Sequence, residues 1–343
     1  MKYFELNGKK LSAFQLGTVQ LGMKYGLGAD CEKPSEETAF KMLDRAMELG
    51  VNNLDTANNY GDSQKVIGHW LAARRRSEAP SSCVETGSCA ASCSSSCGRS
   101  FAASSCAGVD APFIITKIGP LKHGSFDILR DDVLFQAEGC RRELGMETLD
   151  CLMLHDFEDY EKDADALRKI FEEMKKDGFY KVSGISAYSR HDYGMIAESG
   201  FDVTQIPLNV FDWTRIDDGG IQKIADAGMK IFARSTFLQG LVFHTPEELD
   251  PRMDFCVPTV KRWNELCAEF EMEPSVLAMS FILSVPGITC AVLGCDTEKH
   301  VELNCAMMEK VEELSREQMN ILHAAFKDTP ANVLNPGTWF NHT

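Results

Sequence analysis

Positive charge, long apolar runs and glycine fingerprints are all scarce in this chain. No apolar run reaches the roughly 18 residues that cross a bilayer, so no membrane span is expected. Lysine and arginine number 35 against 51 aspartates and glutamates, a formal net charge of −16. Such a chain repels phosphate backbones and anionic lipid, which excludes nucleic acid and membrane surfaces as general partners. Met1–Lys10 lack the apolar stretch of an export signal, so the expected setting is the cytosol. The sequon Asn341-His342-Thr343 is then idle. Nor is there a dinucleotide-binding glycine fingerprint: Leu16-Gly17-Thr18-Val19-Gln20-Leu21-Gly22 has the wrong spacing.

What is present is enough apolar material for a sizeable core. Hydrophobic residues make up 44% of the 343 and charged residues 25%, the balance of a globular protein. One domain over residues 1–343 is expected. Ten of the 13 cysteines fall into two groups. Cys140, Cys151, Cys267, Cys290 and Cys305 lie in apolar, periodic stretches and read as small core hydrophobes. Cys83, Cys89, Cys93, Cys97 and Cys106 crowd into a serine-rich segment. A disulfide framework is not expected without an export signal.

Short apolar runs alternate with longer amphipathic ones. Eight strands are predicted: Phe14–Val19, Val51–Asp55, Phe113–Lys117, Leu149–His155, Tyr180–Ser186, Val203–Ile206, Met229–Ala233 and Thr289–Leu293. Helical patterns cover Glu36–Leu49, Ser63–Leu71, Asp131–Leu144, Ala164–Lys176, Asp192–Glu198, Gly220–Ala227, Pro274–Val285 and Glu298–Met308. Gly50, Gly145, Gly178, Gly200 and Gly228 each follow such a pattern, as left-handed C-caps would. Eight strand–helix units predict an α/β protein with a closed (β/α)8 TIM barrel rather than an open doubly wound sheet.

Ser77–Ala111 breaks this rhythm with eleven serines and five cysteines. It cannot bury enough surface to offset chain entropy, and a disordered insertion between helix 2 and strand 3 is predicted. In a barrel that connection lies on the amino-terminal face, opposite the catalytic loops. Cys89, Cys93 and Cys97 recur every four residues, but zinc knuckles use a CxxC pair in an ordered frame, and no metal is expected.

Ionisable side chains at strand carboxy ends are the functional candidates of a barrel. Asp55, Lys117 and His155 close the second, third and fourth predicted strands, and Tyr60 follows the second. Each alone has an ordinary structural explanation, a snorkelling lysine or a satisfied histidine. Consecutive barrel strands are neighbours, however, so all four project into one mouth. A metal-dependent hydrolase built on His155-Asp156 would need further ligands at strand ends, and none stands out.

Asp55-Thr56-Ala57-Asn58-Asn59-Tyr60-Gly61-Asp62-Ser63 with Ile67-Gly68 resembles the signature of the aldo-keto reductase family. Thr116-Lys117, Leu152-Met153-Leu154-His155, Gly184-Ile185-Ser186, Gln205 with Asn209, Ser235 with Gln239-Gly240, and Gly294 with Asn304 resemble its later blocks, in order. The wording around Leu16–Gly22 and Arg234–Leu241 is similar to branches found with bacterial sugar and polysaccharide metabolism. The resemblance covers about residues 11 to 310, the insertion excepted.

This resemblance implies NAD(P)H-dependent interconversion of a carbonyl and an alcohol. Tyr60 would be the proton donor. Lys117 would lower its pKa, Asp55 would hold Lys117, and His155 would bond the substrate oxygen. Ser186 and Gln205 would hold the carboxamide, with Arg234 stacking on the nicotinamide. Ser235, Phe237, Gln239 and Gly240 would cradle the pyrophosphate. Gly294, Asp296, His300 and Asn304 would surround the far ribose. Asp296 stands where many relatives carry Arg, Lys or Ser, and an acidic group there disfavours a 2′-phosphate. NADP(H) is nonetheless expected, with NAD(H) as the other possibility.

Gln20, Tyr25 and Trp213, with Lys24, Asn59, Phe157 and Phe237, are the expected substrate wall. That composition suits a sugar-like carbonyl. A monomer or small homo-oligomer is expected. The alternative reading is a non-catalytic nicotinamide-binding regulatory subunit, which loss of a tetrad residue would favour; all four are present.

Overall fold

The eight predicted strands do close on themselves. In this computed structural model, which describes residues 1–24, 33–78 and 111–340, the chain begins with an antiparallel hairpin of β1 (Tyr3–Leu6) and β2 (Lys9–Ser12). Asn7 and Gly8 form its two-residue turn, both with positive φ, as the twist of a tight hairpin requires. The barrel follows: β3 (Phe14–Gly17), β4 (Asn53–Asp55), β5 (Phe113–Ile118), β6 (Leu149–Leu154), β7 (Tyr180–Ser186), β8 (Val203–Pro207), β9 (Lys230–Arg234) and β10 (Ile288–Gly294). They pair in that order, all parallel, and β10 returns to β3. This is a (β/α)8 TIM barrel.

Two cores result. The larger lies between the barrel and its helices, and the helix caps fix where each helix ends. Ser35 and Ser125 accept from Thr38 N and Ile128 N at helix starts. Gly50, Gly145, Gly178, Gly200 and Gly228 all have positive φ, as their positions foretold. The smaller core fills the barrel itself with Phe113, Ile115, Cys151, Met153, Val182, Val203, Phe232 and Cys290.

Leu6 and Leu11 of the hairpin join that inner core, and the Phe4 ring meets Phe232 edge-on at 5.6 Å. The hairpin therefore stoppers the amino-terminal end and leaves the carboxy end free for the site. It was not among the expected elements. Its residues alternate over only four positions per strand, too short a stretch for periodicity to show.

Several helix limits also differ. The helix expected from Ala164 starts at Phe157, with a non-helical residue at Asp163 (φ −138°). That break separates the apolar face of Phe157 and Tyr160 from that of Leu167 and Ile170, so one continuous period never forms. The helix expected from Asp131 starts at Phe126, capped by Ser125. Helices Val257–Glu269 and Arg316–Phe326 were not expected; the first buries Val260, Trp263, Leu266 and Cys267 at helical spacing.

Among the described residues, Cys140, Cys151, Cys267, Cys290 and Cys305 are buried and unpaired, and Cys256 and Cys295 join them. The serine- and cysteine-rich segment, with Cys83, Cys89, Cys93, Cys97 and Cys106, lies outside the described residues. No helix among the described residues is long and apolar enough to cross a membrane.

Candidate active site

Asp55 ends β4, Lys117 lies in β5, and His155 follows β6 directly, its N–H bonded to Ile118 O at 2.8 Å. Three adjacent strands thus deliver three ionisable groups to one rim. Tyr60 arrives from the loop after β4, and two glycines set that loop's path. A Cβ on Gly22 would lie 1.7 Å from Tyr60 O, and one on Gly61 (φ +54°) 2.3 Å from Gly22 O. The two backbones touch where no side chain fits. Ser63 anchors the other end, with its hydroxyl 2.8 Å from Thr18 Oγ1 and 3.0 Å from Thr56 Oγ1.

Lys117 is fully buried, and its ammonium donates to Asp55 Oδ1 at 2.6 Å and to Thr56 O at 3.1 Å. Its Nζ lies 5.0 Å from the centroid of the Tyr60 ring. The Tyr60 and His155 rings meet edge to face at 5.7 Å. Gln205 also reaches Asp55 Oδ1, at 2.5 Å, while donating to Gln15 Oε1 at 3.3 Å. The carboxylate is thereby fixed by a cation and an amide.

Burial sets the titration here. It raises the Tyr60 phenol above its usual value, although Lys117 pulls the other way. Desolvation of the phenolate outweighs the pull of the ammonium. Burial also pushes Lys117 down, but Asp55 and the phenol outweigh it, and the ammonium ends above its ordinary value. His155 is pushed down to about 3 by burial, then by Lys117 and Arg234. It is neutral at pH 7. Its Nδ1 is buried with no partner among the described residues, so a proton there would be an unsatisfied buried donor. The proton belongs on Nε2, the nitrogen left to the cavity.

These four residues line one cavity of about 590 Å³, a size suited to a small molecule and part of a larger one. Of the expected cofactor and substrate residues, Gln20, Ser186, Gln205, Arg234, Ser235, Phe237, Gln239, Gly240, Gly294 and Asp296 line it too. His300 and Asn304 do not. His300 accepts from Asp296 N at 3.4 Å, and Asn304 donates to Cys295 Sγ at 3.2 Å.

Trp213 is corrected as a substrate contact. It is buried against Phe281 and His323, its indole N–H donating to Val210 O at 2.9 Å. Phe157 is likewise interior, stacked on His191. Asn209 is buried and accepts from Phe211 N, a turn residue. Tyr25 lies outside the described residues.

Tyr188 and Phe243 line the cavity and were not anticipated. Tyr188 stands two residues past the end of β7, so an aromatic just beyond a strand's carboxy end was the available signal. Phe243 follows an irregular turn that offers none.

A nicotinamide dinucleotide fits this wall on two observations. Ser235 (φ 59°), Leu238 (φ 43°), Gln239 (φ 51°) and Gly240 (φ 96°) all take left-handed backbone within six residues. Such strain gathers where a loop's amides serve a ligand, and successive amides of this kind make anion cradles. The Gln20 Oε1 atom is buried on the same wall without a partner among the described residues.

The aldo/keto reductase family model matches residues 13–86 and 96–327. An aryl-alcohol dehydrogenase [NADP(+)] from Phanerodontia chrysosporium is 40% identical over 72 residues, 20% of this chain and 18% of its own. A norsolorinic acid reductase from Aspergillus flavus is 38% identical over 71 residues, with the same shares. The chain thus matches less than a fifth of these curated relatives' length. Among solved structures, the holo form of an aldo-keto reductase from Bacillus halodurans has a TM-score of 0.68 at 18% identity, covering 98% of this chain and 100% of its own. A thermostable aldo-keto reductase in complex with epalrestat has 0.64 at 19%, covering 95% and 100%.

Proposed function

The chain belongs to the aldo/keto reductase family, and from that premise we propose that it is an oxidoreductase interconverting an aldehyde or ketone and its alcohol. The observation that carries this reading is the meeting of Asp55, Tyr60, Lys117 and His155 at one cavity. When bound, the nicotinamide supplies the hydride for the carbonyl carbon. Ser186, Gln239, Gly240 and the strained amides after Ser235 are the groups available to hold it. Gln205 has its amide N–H committed to Asp55 and Gln15, so its share in holding the carboxamide falls to its oxygen.

Tyr60 gives a proton to the carbonyl oxygen as negative charge develops there, and takes it back in the oxidative direction. Lys117 stabilises the phenolate left behind, and Asp55 keeps the buried ammonium compensated. Neutral His155 donates from Nε2 to the same oxygen, orienting it and sharing its charge. Nothing in this scheme asks His155 to change protonation state.

NADP(H) is the proposed cofactor, supported by the aryl-alcohol dehydrogenase [NADP(+)] relative. Asp296 on the cavity wall opposes a 2′-phosphate, which keeps NAD(H) in contention. For substrate, the amides of Gln20 and Gln239 support the sugar-like carbonyl expected from sequence. The rings of Tyr188, Phe237 and Phe243, with relatives named for aryl alcohols and norsolorinic acid, support an aryl carbonyl more strongly.

Fluorescence titration with both nicotinamides, followed by a turnover screen of keto-sugars and aryl aldehydes, tests the reading. Tight cofactor binding without oxidation of NADPH or NADH by any carbonyl would instead support a regulatory subunit.

A further inference from the structure

The Tyr60 loop is anchored on both sides of the phenol. Past Tyr60 the anchors are Ser63 and the Gly22–Gly61 contact. Before it the anchor is Asn58, and Asn58 leads to a side chain outside the cavity lining. Gln136 is half-buried on the helix Phe126–Leu144. Its Oε1 accepts from Asn58 Nδ2 at 2.7 Å and from Gly119 N at 3.0 Å. Its Nε2 donates to Pro120 O at 3.2 Å and to Asp132 Oδ2 at 2.8 Å. Both lone pairs and both N–H groups of this amide are thus engaged. Its orientation is fixed too, since a backbone N–H faces the oxygen and a backbone carbonyl faces the nitrogen.

These bonds join the two segments that carry the proton donor and its cation. Asn58 stands two residues before Tyr60, and Gly119 two residues after Lys117. The Asn58 N–H also donates to Lys117 O at 3.0 Å, so its backbone holds the lysine's strand while its side chain holds Gln136. The Gly119 backbone in turn lies against His155, for a Cβ there would stand 3.4 Å from His155 Cβ. Asn58 Oδ1 is buried without a partner among the described residues. A half-satisfied buried amide costs stability that an apolar side chain of the same shape would not. What asparagine supplies in return is an N–H aimed at Gln136, which fixes the start of the turn closed by Tyr60 N and Ala57 O at 3.2 Å.

Resting on the oxidoreductase reading above, we propose that Gln136 is a positioning residue for proton transfer: by gripping Asn58 and Gly119 together, it holds the Tyr60 phenol in register with Lys117 and with the substrate oxygen. Proton transfer requires donor and acceptor within hydrogen-bond reach, so a small drift of the turn slows this step while leaving the binding of either reactant alone. Gln136 touches no reacting atom; it acts through Asn58 and Tyr60.

The test measures reduction by the full chain of the carbonyl that the turnover screen identifies, with kcat expressed per nicotinamide site titrated by fluorescence. That normalisation removes any contribution from unfolded protein. Gln136→Met keeps the length and loses the amide; it should lower kcat about tenfold or more, with KM and nicotinamide affinity within about twofold of wild type. Gln136→Glu, which keeps an accepting oxygen for Asn58 and Gly119, should retain part of the rate. In a Tyr60→Phe background the Gln136→Met change should alter the residual kcat by less than about twofold, because no proton donor is left to misplace. Asn58→Ala should slow kcat as Gln136→Met does, and the two changes together should cost no more than either alone.

A Gln136→Met variant with wild-type kcat per site, beside an impaired Tyr60→Phe, overturns this proposal and leaves the oxidoreductase reading intact. Equal losses with and without the Tyr60 hydroxyl overturn it as well and make Gln136 a general support of the scaffold. Additive losses from Asn58→Ala and Gln136→Met break the link between them and have the same consequence. If Gln136→Met binds no nicotinamide, Gln136→Glu in the two backgrounds supplies the same comparison. Full activity in Tyr60→Phe, or reduction of no carbonyl by the wild type, removes the proposal together with the reading beneath it.

Discussion

Tyr60 and His155 owe their chemistry to what surrounds them rather than to what they are. A phenol whose pKa lies above the ordinary value of about 10 stays protonated through neutral pH. Reduction should therefore hold its rate to beyond about pH 9, and oxidation should climb as pH rises; pH profiles of kcat in both directions check this. Tyr60→Phe should lower reduction by about 10² to 10⁴-fold while leaving cofactor titration unchanged.

His155 adds a stability effect whose sign follows from its depressed pKa. Below about 6.5 the unfolded chain takes up a proton that the folded chain refuses until about 3. Stability therefore falls as pH drops through that interval. The loss from this one group reaches up to about 2 kcal/mol between pH 6.5 and 5. His155→Asn should show a smaller drop in Tm than the wild type between pH 7 and 5.

At the scale of elements, the loop that carries Tyr60 depends on the contact between Gly22 and Gly61. Gly22→Ala would force a Cβ onto Tyr60 O and shift the phenol, and misplacement by about 1 Å can cost on the order of 10² in rate. The kcat of this variant should fall far more than its cofactor affinity.

The same scale separates what the sequence made legible from what it did not. Buried parallel strands read as unbroken apolar runs, so β5 and β6 were visible. The ionisable residue at each strand's carboxy end was therefore visible too. The hairpin was not, because Leu6 and Leu11 act through contact with barrel residues more than a hundred positions away. Trp213 illustrates the opposite failure: an aromatic in a post-strand loop gives no local sign of which way it turns. His300 and Asn304 sit on the helix Glu298–Lys310, whose rotation about its axis is likewise a tertiary outcome.

For the molecule as a whole, the described chain leaves helix Ser63–Glu78 and returns at β5 on the amino-terminal side of the barrel, away from Tyr60 and His155. Replacing residues 79–110 with a short Gly/Ser linker should leave kcat/KM within about twofold of wild type; a large loss would place that segment in the reaction. The hairpin allows a sharper contrast. Leu11→Ala removes a buried side chain from the barrel floor and should lower stability by about 2–4 kcal/mol, measured by urea unfolding, with little change in kcat.

The packed interior also governs traffic. Side chains such as Phe113, Met153 and Phe232 fill the barrel, so no guest passes through its floor, and of two guests at the mouth the deeper must enter first and leave last. A molecule lodged in the entrance should then imprison whichever guest came first, slowing its escape in a chase experiment without touching the chemistry itself.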